Sequence, residues 1–431
     1  MGMFCRCHRY KSSAAMLTLG RPLVLALILL LLPVRRSQAE ERVDLTLGYY
    51  LEDNHRVEVW SPALLWEVDV NPTTVFRLQG TYDVVSGASP TGLPAQRRTR
   101  QVIKETTSSQ SQTVVSGFNV ISGPTGSGGT VVPVTSNVTT TTKTKQVTLV
   151  PYGPAILPLQ TFKDQRLGIN MEGEHHSGDW IYSGGIAFGN ESDYTSLAGT
   201  AKIAREFNHK ATLVTLGVSA DHDWVLDPVA HGWDGKDTLE SLVGLTQAID
   251  PKTLLTLGGT LGASWGYLDD QYKYALLNDV VVHEQRPDTR ERRVAMLLLN
   301  RAFDSLNGSL EASYRYYNDS FGINAHTFGL AWYQRVGQHL IIAPEARCYQ
   351  QSAADFYAVS FTGNPTNFSS DYRLSKLASI TYGMRVTWKF SEKFNFSVAY
   401  DRYSMWGRDG VTSGDAYPSA NIITAGFKLW Y

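Results

Sequence analysis

Cysteine is nearly missing from this 431-residue chain. Of its three, Cys5 and Cys7 lie in an N-terminal stretch expected to be cleaved, which leaves Cys348 alone. A lone thiol closes no intramolecular bridge, so strand pairing and packing must hold the fold; Cys348 is read as an ordinary strand position. Charge of one sign is also missing. Residues 1–39 hold six Lys/Arg and no Asp/Glu, leaving 33 basic against 40 acidic side chains beyond them. That mild acidity argues against a nucleic-acid partner. After residue 39 no apolar run reaches the eighteen or so residues of a helical membrane span. Catalytic signatures are scarce as well. There is no Gly-x-Ser-x-Gly elbow, no Ser that pairs with His326 as a catalytic unit, and no Cys-x-x-Cys-His for c-type haem. The reading therefore assigns no catalytic residue and no cofactor.

The N-terminus has the form of an export signal. Arg6, His8, Arg9, Lys11 and Arg21 precede an apolar core from Leu23 to Leu32, Pro33 breaks it, and Ser37-Gln38-Ala39 places small residues before a cut after Ala39. The apolar core would span roughly 15 Å as a helix, about half of a hydrocarbon core. A cleaved signal peptide over 1–39 is expected, with 40–431 as the exported part.

What the exported part has is Tyr, Trp, Thr, Gly and Val in alternating order, the composition of short strands. Ile423, Ala425, Phe427, Leu429 and Tyr431 share one face of the last strand, opposite Thr424, Gly426 and Lys428. Residues 371–389 read as one strand, with Tyr372, Leu374, Ala378, Ile380, Tyr382 and Met384 facing away from Arg373, Ser375, Ser379, Thr381 and Arg385. A strand lining a membrane barrel puts every second residue into lipid and the others into the lumen. Segments 57–69 and 292–303 are apolar on both faces and have no legible orientation.

The strand segments number about sixteen, or fourteen if two weak ones merge or drop out. Tight connections such as 69–73, 175–178 and 250–252 fall on one edge, and long ones near 87–162, 222–237, 265–291, 352–370 and 404–419 on the other. Short periplasmic turns and long outer loops are the asymmetry of a bacterial outer-membrane barrel. An all-β antiparallel transmembrane barrel is therefore predicted, with membrane lipid as its surroundings. The terminal Leu429-Trp430-Tyr431 resembles the signal read by the barrel assembly machinery, and Trp60, Trp66, Trp180, Trp332, Trp388 and Tyr333 suit an interfacial aromatic belt. Residues 99–149, rich in Thr, Ser and Gly, form an outer insertion, either disordered or a projecting β-hairpin.

Candidate site residues come in three sets. Asp164/Arg166, Asp288/Arg290 and Asp371/Arg373 repeat Asp-x-Arg where long loops return to strands, and are read as charge pairs at the pore mouth. Asp319 follows Asn318, and a two-residue turn at these positions would set Glu311 opposite His326 in the lumen. Arg77, Glu172, Arg315, Arg385 and Lys428 complete a mixed lumen charge. Asp221, His222, Asp223, Asp227 and His231 are weak metal candidates, against the simpler reading of a solvated acidic loop.

Tyr49-Tyr50-Leu51-Glu52-Asp53, Ser86-Gly87-Ala88-Ser89-Pro90, Asp288-Thr289-Arg290, Tyr316-Tyr317-Asn318-Asp319-Ser320, Ala353-Ala354-Asp355-Phe356-Tyr357 and Ser370-Asp371-Tyr372-Arg373-Leu374 occur in order along the chain. In these landmarks it resembles a bacterial family catalogued as domain of unknown function 3570, with 99–149 as a departure. The resemblance implies an outer-membrane protein whose relatives are encoded beside flavin-transferring and thioredoxin-like exported proteins, and it brings no catalytic residues. Three functions follow: a channel for small polar solutes or ions, a barrel scaffold for a periplasmic flavin- or thioredoxin-type redox partner, and, last, a barrel-embedded hydrolase.

Overall fold

The computed structural model describes residues 41–121, 130–227, 229–230 and 232–431, with side chains described outside 107–142. The expected signal segment lies outside these residues. The strands are β1 (Glu41–Glu52), β2 (Val57–Asn71), β3 (Thr74–Pro90), β4 (Gln96–Ile121), β5 (Thr130–Ile156), β6 (Leu159–Ser177) and β7 (Trp180–Asn190). They continue as β8 (Tyr194–Phe207), β9 (Thr212–Asp227), β10 (Gly232–Asp250), β11 (Thr253–Gly266), β12 (Tyr274–Leu277), β13 (Val280–His283) and β14 (Thr289–Phe303). Last come β15 (Gly308–Asp319), β16 (Asn324–Val336), β17 (Leu340–Gln351), β18 (Leu377–Lys389), β19 (Phe394–Gly407) and β20 (Ser419–Trp430).

Sixteen of these, all but β4, β5, β12 and β13, form one closed antiparallel barrel among the described residues. Closure is made by β1 against β20, with Tyr49 opposite Ile423 and Leu45 opposite Phe427. A closed barrel leaves no edge strand and satisfies its backbone internally, which is what a lipid environment demands. The alternation read from sequence decides which face meets lipid. Leu257, Leu261, Phe328, Leu330, Tyr382, Met384 and Phe427 all point out and are exposed. Burying one such side chain is worth about 1.5–3 kcal/mol, so a girdle of them selects hydrocarbon over water. Trp60 and Trp66 lie towards opposite ends of the outward row of β2, the first tilted against Tyr49 with ring centres 4.5 Å apart and the second edge-on to Phe76 at 6.3 Å. Tyr333, expected in that belt, instead lies on the lumen face, opposite Ser309.

Pairing also orients the two segments whose faces the sequence left open. In β2, Ser61 bonds Asp83 of β3 at 2.5 Å and Glu67 bonds Arg77 at 2.6 Å, so odd residues face the lumen. In β14, Arg290, Arg292, Val294, Met296 and Leu298 face it, because Arg292 and Met296 stand opposite Asp319 and Arg315. The apolar residues on this inward face explain why no alternation was legible.

A tilted strand crosses a bilayer with about nine to eleven residues. β3 has 17, while β6 and β10 have 19 each. Their inner ends meet in short turns at 72–73, 178–179 and 251–252, so the excess length projects outward. β9 and β10 pair as far as Asp227 opposite Gly232, so residues 222–227 and 232–237 of the expected loop are strand. The insertion forms a hairpin, β4 against β5 in a sheet of its own, from Gln96 opposite Ile156 to Ile121 opposite Thr130.

Two strand starts differ from expectation. β18 begins at Leu377, because residues 372–374 form a 3-10 turn rather than strand. β16 begins at Asn324, and Asn318 pairs with Asn324 across a five-residue turn. The Asp319 carboxylate makes that turn by accepting the backbone N–H groups of Phe321 (3.1 Å) and Ile323 (2.9 Å), with Gly322 at φ 86°. The register therefore moves by an odd number and β16 presents its other face. Glu311 stands opposite Ala331, not His326. His326 turns outward beside Tyr316, with its Nδ1 in a 2.8 Å hydrogen bond to the Tyr314 hydroxyl. The proposed Glu311–His326 pair does not exist.

Candidate functional site

Antiparallel order brings the segments around 91, 267–288, 320–323, 352–376 and 408–418 to the outer end, where several of them pack on one another. Phe321, Ile323, Ala325, Ala354 and Leu374 form a buried apolar cluster, flanked by Leu268, Tyr317, Tyr349 and Phe356. Backbone bonds stitch the loops together: Tyr274 N–H to Thr91 O at 2.8 Å, Phe368 N–H to Gln285 O at 2.7 Å, and Asn278 N–H to Phe361 O at 2.9 Å. The result is a folded lid rather than a set of solvated loops.

Its polar centre is an ion cluster. Asp371 is 1% exposed and accepts Arg373 Nε at 2.8 and 3.0 Å and Arg286 Nη2 at 3.1 Å. Arg286 also meets Glu284 at 2.7 Å, and Arg373 reaches Asp270. Buried Lys273 donates to Pro90 O at 2.5 Å and Ser89 Oγ at 3.0 Å. Burial pushes the Asp371 carboxyl up, but Arg373, Lys273 and Arg286 outweigh it and hold it well below the usual carboxylate range. Glu284 goes the other way: burial raises it more than Arg286 and Ser369 lower it. Burial also lowers Lys273.

Between this lid and the barrel wall is a cavity of about 620 Å³. The wall contributes Lys236, Arg290, Arg292, Arg315, Tyr317 and Tyr349; the lid contributes Asp269, Asp270, Arg286, Asp371 and Arg373. The cationic side chains lining it outnumber the carboxylates, because several acidic partners are tucked behind the arginines. Arg290 is paired with buried Asp319 at 2.5 Å, Arg292 with Glu240 at 3.0 Å, and Lys236 with buried Asp223 at 2.5 Å.

At the inner end the wall carries a second charge system, a chain of ion pairs across β20, β1, β2, β3, β6 and β8. Lys428–Asp44 (3.4 Å), Asp44–Arg42 (3.5 Å), Arg42–Glu67 (3.2 Å), Glu67–Arg77 (2.6 Å), Arg77–Glu174 (3.0 Å) and Glu172–Lys202 (2.7 Å) follow one another round the lumen. Gly185 on the intervening β7 makes room for the last of them. A Cβ there would stand 2.9 Å from Met171 O and 3.0 Å from Thr200 Oγ1.

The Asp-x-Arg motifs all lie at the outer end but are not three copies of one pair. Asp371 and Arg373 are bonded as described. Arg290 pairs with Asp319 rather than Asp288, whose carbonyl accepts Gly266 N–H at 2.9 Å. Arg166 approaches Glu191 at 3.4 Å, while Asp164 accepts the Gln165 N–H at 2.8 Å. Arg385 faces the lumen opposite Ala343 and Ala399, and Glu311 opposite Asn300 and Ala331.

The metal candidates do not converge. Strand alternation sends Asp221 and Asp223 inward and His222 outward, where its Nδ1 meets Asp237 at 2.7 Å and its ring abuts Trp224. Asp227 accepts Val229 N–H at the strand tip, and His231 lies outside the described residues. The structure instead gathers Asp164, Glu191 and Asp193, with carboxylate oxygens within 4.8 Å of one another. Asp193 is held there by Gln271 and Tyr272 of the lid. Lys273, Glu284 and Arg286 escaped the sequence reading, because Ser89, Ser369 and Asp371, which draw them into the cluster, lie 85 residues or more away in the chain.

Among solved structures, the fold is similar to the outer membrane protein OpdK of Pseudomonas aeruginosa (8% identity, TM-score 0.38, 91% of this chain and 99% of that one). It is similar also to a bacterial polysaccharide outer membrane secretin (7%, 0.44, 91% and 98%). The ferric enterobactin receptor PfeA of Pseudomonas aeruginosa, a mutant form, matches at 8% identity and TM-score 0.41 over 85% of this chain; the chain spans about half of that receptor, 54%. No curated protein matches the sequence. The family described as Protein of unknown function (DUF3570) matches residues 23–232 and 226–427, nearly the whole chain, and the protein belongs to that family.

Proposed function

We propose that the protein is a bacterial outer-membrane channel for small polar solutes or ions, taken in through the vestibule beneath the lid. The observation that carries this reading is the cavity of about 620 Å³ between lid and wall, polar and rich in charge. That volume lies within the range of small-molecule sites, about 300–1,000 Å³. The wall below it is lined by small lumen-facing residues, among them Thr46, Gly48, Gly168, Gly258, Gly329, Thr381 and Thr424. A sixteen-stranded barrel is too wide for its inward side chains to fill, the more so where they are small, and that width suits an aqueous passage. Apolar outward residues and a charged interior suit a lipid-embedded pore.

Liposome swelling tests the reading. Vesicles holding the refolded full-length barrel should swell in isosmotic pentose and amino-acid solutions and much more slowly in a tetrasaccharide. Swelling no faster than that of empty vesicles, with the barrel shown folded by its heat-dependent gel mobility, would exclude a passage for such solutes.

A further inference from the structure

The outer part of the lumen face of β16, before Tyr333, is made of small residues, Ala325, Thr327, Gly329 and Ala331, flanked by long side chains on both neighbours. Arg315 of β15 stands opposite Thr327, and Arg347 of β17 opposite Gly329. β16 is thus a shallow trough with a guanidinium on either bank. Gly329 keeps the trough open, since a Cβ there would lie 2.5 Å from Ser313 Oγ.

These two arginines differ from those above them. Arg286, Arg290, Arg292 and Arg373 each have a carboxylate partner. No described carboxylate lies within 4.0 Å of Arg315 or Arg347. Each guanidinium is held over a tyrosine ring instead, Arg315 at 5.7 Å from Tyr317 and Arg347 at 5.9 Å from Tyr349. Tyr349 stands opposite Thr327 across from Arg315, and it lines the vestibule together with Arg315 and Tyr317. One step further in, Glu311 and Glu345 face each other across Ala331. On these three strands a pair of carboxylates therefore bounds the arginine level on its inner side, which favours holding an anion there over letting it drift along this wall.

We infer that Arg315 and Arg347 form a binding station at the vestibule floor for a small solute bearing an oxyanion, a carboxylate or a phosphate. Arginine presents a planar fork of N–H donors that matches either group, and the two like charges are relieved by a shared anion. The inference deepens the channel reading by naming its solute class and rests on it for passage; binding can be measured without passage.

The test is calorimetric titration of the refolded full-length barrel with succinate and with inorganic phosphate, alongside bilayer current from the same preparation. Saturable binding to wild type is expected, weakened roughly tenfold in Arg315→Gln and in Arg347→Gln, since a charge-assisted contact is lost in each. Arg315→Lys should fall between, which keeps the test usable if a neutral variant folds poorly. Tighter succinate binding assigns carboxylates, and tighter phosphate binding assigns phosphorylated solutes. Absence of saturable binding by either probe, or affinity unchanged in the folded double Gln variant, overturns the inference. Current without binding refutes the station alone, and binding without current refutes the channel alone.

Discussion

Asp371→Asn should loosen the outer lid. The wild-type carboxylate is buried and bonds two arginines and the Arg373 backbone N–H at 3.1 Å. Removing one partner of a buried ion pair costs about 3–5 kcal/mol. Here Arg373 is half-exposed to the cavity and Asp270 and Glu284 remain, so roughly 2–3 kcal/mol is the better expectation. Hydrogen exchange over 352–376 should quicken by about 30- to 150-fold in the variant, since local opening carries that free energy. Exchange at the wild-type rate would mean that Asp371 does not latch the lid. The pH dependence has a definite sign. Asp371 has its carboxyl depressed, so its stabilisation is complete above the ordinary carboxylate range near about 4 and fades only as pH falls through its still lower folded value. Glu284, raised by burial, takes up its proton earlier, and a carboxyl raised in the folded state favours that state as pH falls. Mild acid should therefore leave the lid closed, and protection factors over the same segment near about pH 5, corrected for the pH dependence of intrinsic amide exchange, should match those at neutrality.

Arg77→Gln should disturb the inner end. Arg77 bonds Glu67 and Glu174 and approaches Glu172 at 3.9 Å, so its loss leaves three carboxylates facing one stretch of lumen. These groups are partly solvated, which places the cost between that of exposed and buried pairs, on the order of 1–3 kcal/mol. The effect on permeation should be easier to read. One cationic charge removed from a water-filled constriction changes the energy of a passing ion by about 1 kcal/mol at close range, a several-fold change in preference. Reversal potentials in a salt gradient should shift towards cations in Arg77→Gln. A potential equal to wild type in a folded variant would show that ions do not pass this belt.

Much of this architecture was legible because a barrel strand carries its two environments in alternate residues. Tyr382 and Met384 against Thr381 and Arg385 needed no tertiary information, and neither did the parity of short and long connections. The lid was not legible, and the reason is physical. Phe321, Ile323 and Leu374 continue the strand alternation but bury themselves against other loops, so periodicity carried 320–335 and 371–389 too far back. The register at β15 and β16 failed on a single residue: Asn318-Asp319 resembles a two-residue turn, whereas the Asp319 carboxylate caps a longer one. A signal for the lid was nevertheless present. Tyr267, Leu268, Tyr272, Phe356, Tyr357, Phe361 and Phe368 are too apolar for loops that stay in water. Which charges they would enclose depends on contacts between distant parts of the chain, such as Arg286 with Asp371, that no local pattern encodes.

Single-channel recording tests the central claim most directly. Refolded wild-type barrels in a planar bilayer should give discrete, lasting current steps, and Asp371→Asn should give larger or noisier ones as its lid loosens. Bilayers that stay silent with both proteins, each shown to be folded and inserted, would contradict the account of this barrel as a lidded channel.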